Sequence, residues 1–337
     1  MHILITGGSG FLGARLARTL LAQEQFALRG AAPRRVERLT LTDRVPLPLD
    51  LSRDARVHHV AGDLLSLLEG GEAFSLRGVD AVFHLAAAVS AECETDFDLG
   101  LRSNLHATQA LLQACRATGA QPVFVFASSL AVFGSLPGQC VPDPVEDLTL
   151  PTPQGSYGVQ KFMCEQLVAD CSRKGFVAGR SARLMTVSVR PGRPNGAASG
   201  FFSGMVREPL AGLRAQVPVH PETPVAVSSP ARTIEGLMHA AAASDASWGP
   251  AIALNLPSLH TTVGGMAEAL ERVAGREATA LLDWVIDPKV EALVRTWPGR
   301  FEWRRAREMG LRADDDFDTA IRAYIRENPQ AVRLPVR

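Results

Sequence analysis

The sequence predicts an α/β fold, a doubly wound parallel sheet with a smaller C-terminal lobe. Three observations predict it. Short apolar runs rich in β-branched residues alternate with helical patterns over residues 1–190. The first of these runs breaks into three spaced glycines and at once becomes a helix. After Arg190 the alternation gives way to a stretch dense in Pro, Gly and small residues.

Taken in order, "HILIT" (2–6), "RLTLTD" (38–43), "RVHHVAGD" (56–63), "VDAVFHLAA" (79–87), "PVFVFASS" (122–129) and "RLMTVSVRP" (183–191) are expected as strands. Helices are expected over 10–23, 103–118 and 156–174. Such alternation implies parallel strands joined by crossover helices. Residues 191–337 are expected to form a lobe of loops and short helices, with "AIALNLPS" (251–258) returning to the main sheet as a late strand. "TTVGGMAEALERVAG" (261–275) has the pattern of a capped amphipathic helix ending at Gly275. In "ADDDFDTAIRAYIREN" (313–328) the acids Asp314 to Asp316 stand where a helix starts, which suits capping better than metal ligation.

Composition narrows the partners. At 337 residues the chain holds one large α/β domain or a core domain with a companion. Its 46% apolar and 21% charged residues are those of a soluble globular protein. The 35 Lys plus Arg balance 35 Asp plus Glu, so no net field gathers nucleic acid or an anionic membrane. Cys93, Cys115, Cys140, Cys164 and Cys171 form no CxxC pair, which argues against a zinc site or a disulfide framework. No apolar run approaches the roughly 18 residues of a membrane span, and no basic segment precedes the first apolar stretch. A cytoplasmic protein with reduced thiols, no metal and a small-molecule partner is expected.

The glycines, in "ITGGSGFLGARLARTLL" (5–21), have a reason. A helix N-terminus presents unpaired N–H groups and partial positive charge, which suits a pyrophosphate. Gly7 permits the tight turn, Gly10 the close approach of phosphate to backbone, and Gly13 the packing of helix on sheet. Phe11 and Leu12, which follow Gly10, are further cofactor-binding candidates. Asp43, closing the second strand, is placed to accept hydrogen bonds from ribose hydroxyls and so favours NAD over NADP, while Arg44 beside it is able to accommodate a 2′-phosphate. This is the dinucleotide-binding, or Rossmann, fingerprint.

The GxxGxxG spacing resembles that of the short-chain dehydrogenase/reductase superfamily, in particular its extended branch, the NAD-dependent epimerase/dehydratase family. The resemblance implies that Asp63 and Leu64 in "AGDLL" sit near adenine, that Leu85, Ala86 and Ala87 in "HLAA" lie beneath the cofactor, and that Asn104 and Met185 lie beside it. A helix-capping asparagine is the competing view of Asn104. A second signal is "SYGVQK", which puts Tyr157 and Lys161 at i and i+4 on one helical face. With only two tyrosines and three lysines in the chain, an accidental YxxxK has odds of about one in fifty. A tyrosine titrates near 10, so a useful general base needs a shift of about three units, or ~4 kcal/mol, which a lysine ammonium and a cationic nicotinamide can supply. By resemblance, Tyr157 is the base, Lys161 also holds the nicotinamide ribose, and Ser129 orients the substrate oxygen. Ser128 reads better as a capping serine.

Dehydratases of the branch need an Asp-Glu pair where this chain has Leu130 and Ala131, so dehydration is not expected. The segments "AVSAECETDFDLGLRSNLHAT", "YGVQKFMCEQLVADCSRKGF", "RLMTVSVRPGRPNGAASGFFSGMVREPL" and "NLPSLHTTVGGMAEALERVAG" resemble the D-erythronate dehydrogenase family. That likeness implies NAD-dependent oxidation of the C2 hydroxyl of a four-carbon sugar acid, D-erythronate, to its 2-oxo product. Met185 and Arg193 depart from it, standing where that family has Pro and Lys. A sugar acid needs a cationic anchor, for which Arg190, Arg193 and Arg207 are candidates, and Thr186, Asn195 and Ser199 can meet its hydroxyls. A sugar-nucleotide 4-epimerase is the alternative reading. The resemblance implies a homodimer, since relatives often pair two helices, which here would be 100–118 and 156–174.

Overall fold

The computed structural model describes residues 1–70, 74–136, 138–139, 141–192 and 199–335. The strands in chain order are β1 (His2–Thr6), β2 (Arg38–Asp43), β3 (Val57–Ala61), β4 (Ala81–His84), β5 (Val123–Ser129), β6 (Ala178–Leu184), β7 (Thr186–Val187), β8 (Ala215–Val217), β9 (Pro224–Ser228), β10 (Leu254–Asn255), β11 (Leu259–Thr262) and β12 (Leu282–Trp284). Seven form one sheet in the order β10-β6-β5-β4-β1-β2-β3. The pairs β1–β2, β1–β4, β2–β3 and β4–β5 are parallel. Strand order reverses between β1 and β4, so their carboxyl ends open a crevice there.

By contacts the chain forms two compact units. The first comprises Met1–Ser129, Ser156–Arg183 and Ile234–Leu254; the second comprises Leu130–Gly155, Leu184–Thr233 and Asn255–Arg337. In the first, β1 and β4 are buried along their length because Ile3, Leu4, Ile5, Ala81, Val82 and Phe83 face helices on both sides. The helices Leu64–Glu69, Ala107–Thr118 and Ser156–Arg173 cover one side, packing Leu64, Leu111, Leu112, Cys115, Cys164 and Val168 against Leu4, Val82, Phe124 and Phe126. Each such side chain contributes roughly 1.5–3 kcal/mol by leaving water. Asp63 starts the first of these helices by accepting the Ser66 N–H, and Gly119 ends the second at φ 67°.

Two expectations need correction. The sixth strand of the sheet is Ala178–Leu184, "AGRSARL", rather than a run beginning at Arg183. Its polar residues Arg180, Ser181 and Arg183 are all buried, and the arginines are ion-paired to Asp245 and Glu165, so the strand carries no apolar signature. The lobe is also more than loops and short helices. It holds a three-stranded sheet, β11-β9-β7, and a two-stranded one, β12-β8, around the eleven-residue helix Gly200–Leu210 and the helices Val263–Ala274 and Phe317–Glu327. The latter two start and stop where their sequences say. Thr262 caps the first and Gly275 ends it, and Asp316 accepts the Thr319 N–H of the second. Asp314 accepts the Ser229 N–H instead. No helix of the described residues is long and apolar enough to cross a membrane.

Candidate active site

The turn after β1 is stitched to the end of β2. Gly7 and Gly8 donate their N–H groups to the Thr42 carbonyl at 2.9 and 3.1 Å, and the Ser9 N–H reaches Asp43 Oδ2 at 3.0 Å. Gly7 sits at φ 71°, a conformation open to glycine at little cost. A Cβ on Gly13 would fall 2.0 Å from the Gly7 carbonyl oxygen, so the helix Phe11–Ala22 approaches the turn as closely as hydrogen permits. That helix begins at Gly10 with no side-chain cap and no acid in its first turn, and half-buried Phe11 and Leu12 open it. An anion therefore meets only amides and the positive end of the helix.

A cleft of about 210 Å³ lies over this turn, lined by Gly7, Gly10, Asp43, Asp63, Leu64, Leu85, Ala86 and Ala87, together with Thr42, Arg44, Gly62, Leu65, Ala88, Ser103 and Ala107. The first eight of these are residues the sequence picks out. Thr42, Gly62, Ser103 and Ala107 escaped it, because strand ends and helix faces that line a cleft through small side chains look like any other. The glycine cradle, the uncapped helix and the terminal carboxylate of β2 fit a dinucleotide. Asp63 does double duty. Burial pushes its carboxyl up, but the Ser66 amide and hydroxyl and the Arg102 guanidinium at 2.8 Å outweigh that and hold it below the usual range.

Beneath the cleft runs a buried polar chain. Thr6 Oγ1 accepts the N–H groups of Leu85 and Ala86 at 3.2 Å and lies 2.6 Å from His84 Nδ1; His84 Nε2 lies 2.8 Å from Thr108 Oγ1, which donates to the Asn104 carbonyl at 2.5 Å. Asn104 caps no helix. It lies in the wide turn Leu101–His106 that leads into Ala107–Thr118, where its amide oxygen accepts the Ala88 N–H at 2.8 Å and its amide nitrogen donates to Gln160 at 2.8 Å. It acts on the loop Leu85–Ala88 from below.

The catalytic candidates gather where β5 ends. Ser129 is its last residue, and the helix Ser156–Arg173 carries Tyr157 in its first turn and Lys161 one turn on. Lys161 is buried and donates to the Ala127 carbonyl at 2.8 Å, with the Phe126 ring 4.8 Å and the Tyr157 ring 5.7 Å from its ammonium. Ser128 is structural, as its sequence context suggests: its hydroxyl donates to Glu165 at 2.5 Å. Met185 and Thr186 are buried at the start of the second unit, with Thr186 in β7. There too the Arg190 amide donates to Ser203 Oγ at 3.0 Å, its carbonyl accepts from Arg207 at 2.9 Å, and Arg207 is further paired to Glu208. Arg193 and Asn195 lie outside the described residues.

A Gly-lined cleft at the switch point of a 3-2-1-4-5-6 sheet marks a dinucleotide-binding protein, and the same compact unit carries a buried lysine one helical turn from a tyrosine. Residues 3–225 match the NAD dependent epimerase/dehydratase family. The chain belongs to that family and is an NAD-dependent oxidoreductase. It is 48% identical to D-erythronate dehydrogenase of Cupriavidus necator over 328 residues, 97% of this chain and 98% of that protein. It is 38% identical to D-erythronate dehydrogenase of Haemophilus influenzae over 325 residues, 96% and 99% of the two chains. Among solved structures it resembles a nucleoside-diphosphate-sugar epimerase from Agrobacterium tumefaciens with a TM-score of 0.86, at 37% identity over 98% of this chain and 95% of that one.

Proposed function

We propose that the protein oxidises the C2 hydroxyl of a small sugar acid, D-erythronate, to the 2-oxo acid. The observation that carries the reading is near full-length likeness to two D-erythronate dehydrogenases in a chain that brings Tyr157, Lys161 and Ser129 to one end of β5. Gly7, Gly10, Phe11, Leu12, Gly13, Asp43, Asp63, Leu64, Leu85 to Ala87 and Met185 would hold NAD, with Asn104 supporting the loop. NAD, when bound, accepts the hydride from C2. Tyr157 takes the hydroxyl proton, Lys161 favours the phenolate by its charge, and Ser129 donates to the substrate oxygen. Thr186, Arg190 and Asn195 are the further substrate contacts, Arg190 through the carboxylate.

Incubation with NAD and a panel of aldonates should form NADH, fastest with D-erythronate; none with any aldonate removes the claim. The likeness to the epimerase structure supports a second reading, a sugar-nucleotide 4-epimerase, which converts its sugar with no net NADH. We place the enzyme in the cytoplasm, in keeping with buried, unbridged Cys93, Cys115 and Cys164. We also read it as a homodimer paired through residues 100–118 and the helix Ser156–Arg173, which exposes Val159 and Met163 one turn apart.

A further inference from the structure

Three consecutive residues end β5, and the helix Ser156–Arg173 grips the first two with side chains one turn apart. The Ala127 carbonyl accepts from Lys161 at 2.8 Å and the Ser128 hydroxyl donates to Glu165 Oε1 at 2.5 Å, while the third residue is Ser129. Glu165 is in turn held by β6, the neighbouring strand, through Arg183 Nε to Oε1 at 2.9 Å and Nη2 to Oε2 at 2.8 Å. The pair is buried, at 4% and 2% side-chain exposure. Stability is a weak reason for such a pair, because desolvating two ions offsets their attraction and apolar residues of similar volume serve as well. Its place beside the catalytic end of the strand suggests another.

Lys161 has few ways to stay charged where it sits. Burial pushes its ammonium down to about 8, and Cys164, Cys93 and Glu165 oppose the drop. Burial pushes both thiols up, so at neutral pH they carry no charge. His84, from β4, adds none, because its own burial and the nearby ammonium push its imidazole down to about 3. Tyr157 offers a ring face, and Arg183 is bound up with Glu165. The Ala127 carbonyl is the polar group seated on the ammonium, and it belongs to the strand end that Glu165 holds through Ser128.

We infer that Glu165, held by Arg183, is a positioning residue that fixes the Lys161–Ser129 end of the apparatus through the Ser128 hydroxyl. The inference rests on the proposed Tyr157–Lys161 chemistry, and its test uses a readout that needs no substrate. The chain has three lysines, so protein grown on 13C-lysine gives three Cε resonances, with that of Lys161 identified by Lys161→Met. In the wild type it should titrate near pH 8. In Glu165→Gln/Arg183→Met, which leaves no unpaired buried ion, it should titrate lower, because the Ala127 carbonyl that accepts from the ammonium is no longer held in place. The alkaline limb of kcat should move down with it, and the thermal midpoint and NAD affinity should stay near wild type. Ser128→Ala keeps the ion pair and removes only the strand contact; kcat should fall at least threefold and the limb should move the same way. An unshifted resonance in the double variant overturns the hold of Glu165 on the Lys161 end. Unchanged kcat in Ser128→Ala overturns the positioning role. Loss of dehydrogenase activity in the wild type with every aldonate would sink the proposed reaction and leave the resonance shift standing.

Discussion

Thr6 accepts two backbone N–H groups, so its own hydroxyl hydrogen is left to donate to His84 Nδ1, and the ring must then carry its proton on Nε2 and donate to Thr108. A second ring proton has no acceptor there. Burial and the Lys161 charge accordingly push His84 down to about 3. The unfolded chain takes up a proton near pH 6.5 and the folded one does not, so stability contributed by the neutral ring is full above 6.5 and lost as pH falls toward 3. The loss is about 5 kcal/mol over that window. Urea unfolding at pH 7, 5.5 and 4 should show the wild type losing more stability on acidification than His84→Gln; equal losses would put the acid sensitivity in other groups. At Asp43 the expectation concerns binding. Its carboxylate accepts Ser9 N–H and lines the cleft, so Asp43→Ala should raise the NAD Michaelis constant roughly tenfold or more while lowering kcat much less. An unchanged constant would place the ribose elsewhere. Tyr157→Phe should do the reverse, cutting kcat by about 10² to 10⁴ with the NAD dissociation constant within twofold, read by fluorescence titration.

The glycine turn separates two demands that one motif merges. Gly13 faces backbone at every nearby atom of a would-be Cβ, the Gly7 carbonyl and the Gly8 Cα, none of which can swing aside. Gly10 faces only the Gly7 oxygen at 3.2 Å and has φ −65°, which any residue adopts. Gly13→Ala should therefore cost about 1–3 kcal/mol or more of stability by overpacking, whereas Gly10→Ala, pressing on the Gly7 oxygen at 3.2 Å, should cost less than Gly13→Ala yet lose NAD affinity. Paired thermal melts with and without NAD separate the outcomes; a normal melt for Gly13→Ala would refute the contact. At this scale the chain is legible where burial is apolar and local. β1 and β2 begin and end where their hydrophobic runs do, and the helix from Ser156 starts at its motif. β6 is illegible because its buried residues are arginines whose partners, Glu165 and Asp245, lie 18 and 65 positions away. β7 is illegible too, at two residues paired with β9 some forty positions on. The Tyr–Lys pair could be read because its partners are one turn apart. Gln160 and Thr42 could not, since only the folded chain brings them to the site.

The first unit is assembled from three separate lengths of chain, Met1–Ser129, Ser156–Arg183 and Ile234–Leu254. The change of texture after Arg190 therefore marks no clean cut. Residues 234–254 bring β10 to the sheet edge beside β6 and deliver Asp245, which accepts from Arg180 at 2.5 Å and from Arg29 at 2.6 Å. Arg180 is 4% exposed in its side chain and sits 5.3 Å from the buried Trp248 ring, so without this segment it loses its counter-ion and its cover together. Asp245 is itself half exposed, but the buried Arg180 loses both partner and cover, and even about 2 kcal/mol is a sizeable share of the 5–15 kcal/mol that holds a typical domain. A fragment of residues 1–190 contains every glycine of the turn, Asp43, Ser129, Tyr157 and Lys161, yet should show no cooperative melt and no NAD-induced shift in it. Full-length Asp245→Asn should retain both, with stability lowered by a few kcal/mol, because Arg29 and Arg180 can still share the amide oxygen. A 1–190 fragment that melts cooperatively and binds NAD would show that the returning segment is dispensable, and that the sheet holds its buried arginine by other means.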